Sequence, residues 1–200
     1  EVYKKAKFII SVSDHIDECV EKAFKIKKNK ILRINQSIQL HRINYKSKSN
    51  LISYMPRKLP VHSNLVLFFL KKHLPKKWRI LPIENMSHSD VIKNLKKSKI
   101  FLSFSNLEGF GLPPIEAASL GNMVIGYTGE GGKEYWKSPI FKKIEQGDIL
   151  NFVNEIQKTI RDKKNVLKIN QQRIKLLKIY SKKNQDKKLV DMMNTIKKCY

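Results

Sequence analysis

Ile100-Phe101-Leu102-Ser103-Phe104-Ser105, followed closely by Glu108-Gly109-Phe110-Gly111-Leu112-Pro113-Pro114-Ile115-Glu116, decides the fold of this chain. The first run combines β-branched, aromatic and apolar residues and has the composition of a buried strand. Glu108 therefore falls just beyond a strand end. Gly109 and Gly111 permit positive φ and close backbone approach, and Pro113 has the fixed φ and missing donor that suit the first turn of a helix through Ile115, Glu116, Ala117 and Ala118. In an open α/β sheet, ligands bind outside the carboxyl ends of the strands, where free N–H groups at a helix start attract phosphate or sugar oxygens. Glu116, about one turn inside the helix, can accept two hydrogen bonds from a vicinal diol such as a ribose, while Glu108 on the loop reaches a second polyhydroxylated group. Either glutamate alone is ordinary helix or loop chemistry. The pattern from Glu108 to Glu116 taken whole reads as a ligand site.

Working outward, strands and helices alternate, which predicts a parallel sheet covered on both faces. Strands are predicted over 7–13, 30–35, 51–55, 78–83, from Ile100, from Met123, and over 139–144. Helices are predicted from a Ser13 or Asp14 cap to about Phe24, and over 61–74, 89–97 and the segment holding Glu116. Ile149, Phe152, Val153, Ile156 and Ile160 recur at core-facing spacing, and two lysine-rich helices broken near Ser181 complete the chain. The polar stretch 36–50 reads as a linker. Arg57 and Lys58, just after the strand that begins at Leu51, are positioned to neutralise a pyrophosphate.

The segment Glu108-Gly109-Phe110-Gly111-Leu112-Pro113, closed by Glu116 and preceded by Ser105, resembles the retaining, nucleotide-sugar-dependent glycosyltransferases of the GT-B fold, and among them glycosyltransferase family 4. The resemblance continues through Ala117-Ala118-Ser119-Leu120-Gly121-Asn122-Met123-Val124-Ile125-Gly126, similar to the family's helix, glycine stop and next strand. It implies an α/β fold: a Rossmann-like parallel sheet with helices on both faces, the GT-B C-terminal domain, preceded by a short remnant of the N-terminal domain. The implied divisions are 1–45 for the end of the N-terminal domain and linker, 46–180 for the donor-binding domain, and 181–200 for a helix returning toward the first domain. It also implies roles. Glu116 would hold the donor ribose, Glu108 the transferred sugar, and Phe110, Gly111 and Leu112 would bring their backbone to sugar and phosphate. Ser105 occupies the family's serine position, and the loop containing Asn85 and Met86 resembles the base-contacting segment. The family places an arginine after the first of these strands and a lysine about five residues later. Arg57 fits, but the later position is His62, so Lys58 is assigned the lysine's task.

The formal net charge is +24, but only six of 41 basic residues are arginine and the 35 lysines run from Lys4 to Lys198. Planar bidentate phosphate recognition favours arginine, so the excess reads as a solvated surface and not as nucleic-acid recognition. It is compatible with peripheral association with an anionic membrane face. A basic nucleic-acid module and a carbohydrate hydrolase using the two glutamates as acid and base are the competing readings. Cys19 and Cys199 lie far apart in sequence, and the five histidines have no metal spacing. Gly129-Glu130-Gly131-Gly132-Lys133 lacks the Ser or Thr and the glycine spacing of a phosphate loop and reads as a flexible loop near the donor. Trp78 and Trp136 read as packing residues. Beginning at Glu1, the chain is expected to be a fragment or a processed product, and, lacking most of the acceptor-binding domain that the resemblance implies, to bind donor far better than it transfers sugar. The donor is a nucleoside-diphosphate sugar, with no metal or other cofactor expected; the acceptor class is open among glycan, lipid-linked and protein. The expected location is the cytoplasm, with the inner face of the membrane as its docking surface.

Overall fold

A computed structural model describes residues 2–162 and 166–198. The first lobe contains α1 (Val2–Lys5), β1 (Ile9–Ser11), α2 (Asp14–Phe24) and β2 (Ile31–Arg33), with β1 and β2 parallel. The second contains β3 (Leu51–Tyr54), α3 (Pro60–His73), β4 (Arg79–Pro82), α4 (His88–Lys97), β5 (Ile100–Ser105), α5 (Leu112–Ser119), β6 (Met123–Thr128), β7 (Phe141–Lys143) and α6 (Ile149–Arg161). Helices α7 (Val166–Ile179) and α8 (Lys182–Lys197) follow.

The main sheet is parallel throughout, in the order β4-β3-β5-β6-β7. Strand β5 shows why both faces are covered. Its side chains alternate across the pleat, and all six positions are buried. Ile100, Leu102 and Phe104 meet Val66, Leu67 and Leu70 of α3 and Phe152, Val153 and Ile156 of α6. Phe101 lies in the other core, with Leu95 of α4, Ile115 of α5 and Leu176 and Leu177 of α7. An unbroken apolar run is what such a doubly covered strand requires.

Several boundaries move inward from their sequence expectations. Strand β1 stops at Ser11 because Ser13 turns out of the ladder to cap α2, its Oγ accepting from the Ile16 N–H at 3.1 Å. At α4 the boundary moves outward by one residue, Ser87 accepting from the Asp90 N–H at 3.2 Å so that the helix starts at His88. Stretch 36–50 runs from β2 to β3 and is packed down along the way: Ile38 is buried and its N–H donates to the Tyr180 carbonyl at 2.8 Å, and Lys48 is buried as well. Past the break at Ser181, α8 reaches the first lobe, where Gln185 Nε2 donates to the Asn35 carbonyl at 3.0 Å and Lys188 Nζ to Asn35 Oδ1 at 2.9 Å.

The chain direction reverses between β3 and β5. From β3 it moves outward to β4, then crosses back to β5 on the opposite side and continues to β6 and β7. The gap where the two directions diverge is where open α/β sheets form their ligand crevice.

Candidate active site

Two loops flank that gap, one leaving β3 and one leaving β5. After β3, the chain turns through Met55 to Leu59, with the Lys58 N–H donating to the Met55 carbonyl at 3.2 Å. Leu59 has φ +42, a left-handed conformation rare for a branched side chain, and leads into Pro60 at the uncapped start of α3. The turn leaves Arg57 exposed and lays Lys58 across the gap. Its Nζ stands 2.8 Å from Glu108 Oε1 on the β5 loop. Fifty residues apart in sequence, the two expected site residues meet at the point of strand reversal.

The β5 loop is shaped by glycines and held from below. Gly111 has φ +78, and an added Cβ would lie 3.0 Å from the Tyr135 hydroxyl and 3.4 Å from a Glu108 carboxylate oxygen. Tyr135 donates its hydroxyl to the Gly111 carbonyl at 2.5 Å. Phe110 turns its ring into the core, 5.4 Å from Tyr135 and 5.5 Å from Tyr180 between centroids, so its backbone and not its ring faces the gap. No side chain caps α5, and Pro113 and Pro114 carry no N–H. The amides of Gly111 and Leu112 are therefore the donors that this helix start offers to an anion. Ser105, Lys58, Glu108 and Pro113 line one small cavity, with Ser105 itself buried and accepting from Ser103 Oγ at 3.1 Å.

Glu116 lies one turn into α5, half-buried. Burial pushes its carboxyl pKa up, an effect partly opposed by His88 at the start of α4. Among the described residues its carboxylate has neither a hydrogen bond nor an ion pair, an unusual state for a sheltered acid. The adjoining loop between β4 and α4 places Asn85 in the left-handed region, φ +51, and exposes it, while Met86 packs on the core and its sulfur accepts from Asn94 Nδ2 at 3.3 Å. His62 is engaged with β6, its Nδ1 3.1 Å from the Tyr127 hydroxyl, and Arg57 and Lys58 are the cations of the β3 loop.

The loop from Gly129 to Lys133 is tied down and not flexible as expected. Its Glu130 N–H donates to the Asn106 carbonyl at 3.3 Å and its Gly131 N–H to the Glu108 carbonyl at 3.0 Å. A Cβ on Gly131 would fall 2.1 Å from the Gly109 carbonyl oxygen, so glycine is what allows the two loops to touch. Glu134, next in this segment, escaped the sequence reading. Its Oε2 sits 2.5 Å from Arg33 and accepts the Asp14 N–H at 2.9 Å, and its Oε1 accepts the Tyr180 hydroxyl at 3.1 Å. It joins the first lobe to the rim of the gap. The only sequence sign was the glycine-rich stretch just before it.

The doubly covered parallel sheet, with Lys58 and Glu108 on its strand-reversal loops and Glu116 in α5, has a Rossmann-like, GT-B-type architecture. A sequence-family profile for "Glycosyl transferases group 1" matches residues 62–176, more than half of the chain. The chain belongs to that glycosyltransferase family. Among solved structures it is similar in fold to a TarM mutant of S. aureus in complex with fondaparinux, alpha-GlcNAc-glycerol and UDP, with TM-score 0.76 and 16% identity, covering 97% of this chain and 45% of that one. Anabaena Alr3699/HepE in complex with UDP and glucose gives TM-score 0.77 at 11% identity, covering 97% of this chain and 65% of that one. Sucrose-phosphate synthase from Thermosynechococcus elongatus gives TM-score 0.77 at 12% identity, covering all of this chain and 60% of that one. The chain thus spans less than two thirds of the length of these structures. No curated protein matches it by sequence.

Proposed function

We propose that this chain is the donor-binding part of a retaining glycosyltransferase, which takes a sugar from a nucleoside-diphosphate sugar. The observation that carries the reading is the meeting of Lys58 with Glu108 at the strand reversal, beside a half-buried Glu116 whose carboxylate has no hydrogen bond or ion pair among the described residues. Glu116 accepts the ribose hydroxyls and Glu108 the hydroxyls of the transferred sugar. Arg57, Lys58 and the Gly111 and Leu112 amides face the diphosphate. As the bond from anomeric carbon to diphosphate oxygen breaks, negative charge grows on the leaving group and positive charge on the sugar ring. Fixed cations and N–H groups lower that barrier without a metal ion. Glu108, held by Lys58 before donor arrives, is presented without having to find its position. Residues 1–45 close the neighbouring acceptor-side domain, 46–180 hold the donor, and 181–200 brace the two.

Two of the similar structures contain UDP, which makes uridine diphosphate and its sugars the first ligands to try. A thermal-shift screen of uridine, guanosine, thymidine and adenosine diphosphates and their sugars is expected to give one base that raises the melting temperature, because a ligand for the folded state stabilises it by mass action. Absence of a shift with every base at millimolar concentration would count against the reading.

Part of the same proposal is a cytoplasmic location with docking on an anionic membrane. Among the described residues no helix is long and apolar enough to cross a membrane. Helix α3 nevertheless exposes Val61, Leu65 and Phe68 on one face, with Lys71 beside them and Lys72 Nζ 4.5 Å from the Phe68 ring centroid. An apolar stripe edged by lysines complements anionic lipid. Co-sedimentation with phosphatidylglycerol vesicles is expected to exceed that with phosphatidylcholine, and Phe68→Glu to cut it at least severalfold; equal binding to both lipids would remove this surface from the proposal.

A further inference from the structure

A second cavity, of about 350 Å³, opens at the opposite edge of the main sheet, where β3, β5 and β6 begin. Its apolar wall includes Trp78, Ile100, Met123 and Ile160, and Lys48, Lys77 and Lys99 complete the lining. Such a volume falls within the range of small-molecule sites, roughly 300–1,000 Å³, and the mixture of apolar walls with few convergent charges is typical of them.

The cations are not matched by equal negative charge. Lys48 is buried, and its Nζ donates to the Ser98 carbonyl at 2.5 Å and, more weakly, to the Leu95 carbonyl at 3.4 Å. An ammonium has three N–H groups, so one remains. No carboxylate of the described residues lies in an ion pair with Lys48, Lys77 or Lys99. Lys99 is fixed by Asn50 Oδ1 at 2.6 Å and stands 5.9 Å from the Trp78 ring centroid. Behind the wall lies a further buried cation, Arg173, bonded to the Ser119 carbonyl at 3.1 Å. Asp162 adds one negative charge to the wall, so the lining remains net positive. Burial first, then Arg173 and Lys99, lower the Lys48 pKa to about 7, which is the response of a cation lacking a counter-ion.

We infer that this cavity is an effector pocket for a small phosphate monoester with an aromatic body: the phosphate sits among Lys48, Lys77 and Lys99, and the ring lies against Trp78. The pocket is separate from the candidate donor cleft. Lys99 directly precedes β5, whose other end leads to Glu108, and the strand spans roughly 20 Å between them. A ligand that immobilises the start of β5 thus acts on the strand that carries the cleft loop.

The test uses 1-naphthyl phosphate and the fluorescence of Trp78 in the full chain bearing Trp136→Phe. Saturable quenching is expected, with affinity at least tenfold weaker for Lys77→Gln/Lys99→Gln and retained by Lys77→Arg/Lys99→Arg, whose circular dichroism confirms folding of both. Equal quenching by 1-naphthol would show an apolar pocket without anion recognition and overturn the inference. So would displacement by UDP, which would put the probe in the donor cleft, or unchanged affinity in the glutamine double variant. None of these readouts requires the donor assignment to be correct.

Discussion

Replacing Glu116 by glutamine is expected to weaken donor binding by about 10- to 100-fold while raising the melting temperature. The two effects have one origin. The carboxylate is half-buried without a partner, so the folded protein holds it at a cost that a bound ribose diol removes. A hydrogen bond to a charged group contributes about 1.5–3 kcal/mol, and loss of one such bond accounts for the expected weakening. The stability effect has a definite pH sign. Burial raises the folded-state pKa, so the unfolded chain releases this proton at lower pH than the folded chain does. The contribution to stability therefore falls as pH rises through the interval between the two values, and the penalty is complete above it. Glutamine has no proton to lose. Its stabilising effect should be present near pH 7.5 and disappear near pH 3, below the usual glutamate range. Calorimetric titration with the donor identified by screening, paired with melting curves at both pH values, measures both halves. Unchanged affinity in Glu116→Gln would reduce Glu116 to an ordinary helix acid, and a lower melting temperature at pH 7.5 would mean that the carboxylate has an unrecognised structural role. Function and stability oppose each other at this residue, as expected where binding machinery is kept unsatisfied.

The parts of this site that sequence revealed share a physical reason. Strand β5 is buried on both faces and so needs an uninterrupted apolar run, and α5 begins where Gly111 and Pro113 demand it; both constraints are local and leave local marks. Lys58 could be paired with a site at all because it follows a strand end. Its contact with Glu108 could not be read directly, since that depends on β3 and β5 being neighbours, and β4 intervenes in sequence. Tyr135 and Glu134 were missed for the same reason. They lie in irregular backbone without periodicity, and their partners Gly111, Asp14 and Arg33 are brought to them only by the finished fold. That stretch 36–50 packs down Ile38 and Lys48 on its way from β2 to β3 could not be read, because two buried side chains hardly change its polar composition. Loop 129–133 was misread because glycine serves close packing here, and sequence does not distinguish that use from freedom to move.

Glu134→Ala is the second large effect expected, and it should appear as selective loosening of the first lobe. The carboxylate is 12% exposed and gathers Arg33 at 2.5 Å, the Asp14 N–H at 2.9 Å and the Tyr180 hydroxyl at 3.1 Å. Removing one member of a fully buried ion pair typically costs about 3–5 kcal/mol. Arg33 is 20% exposed and keeps Asp17 at 3.0 Å and Asp14 at 3.4 Å, so about 2 kcal/mol is the appropriate figure here. This is still a large fraction of what holds a lobe with only a three-residue-long pair of strands and a small cluster of Ile9, Val20 and Ile26. The main sheet, by contrast, has its own two cores, which Glu134 touches at the Tyr180 hydroxyl on their margin. Hydrogen exchange should therefore show protection in α2 and β2 lowered by about 30-fold, the equivalent of 2 kcal/mol, with β5 and β6 unchanged. Glu134→Gln, whose single amide oxygen can still accept from the Asp14 N–H while its NH2 donates to the Tyr180 oxygen but which cannot pair a charge with Arg33, should fall between. An equal loss of protection in α2 and β5 would mean that the two sheets unfold as one unit, and no loss in α2 would mean that α8, through Gln185 and Lys188 on Asn35, supplies the main tie. If the selective loss is found, Glu134 sits where lobe movement and the Glu108 loop meet, because the Gly131 N–H three residues earlier holds the Glu108 carbonyl.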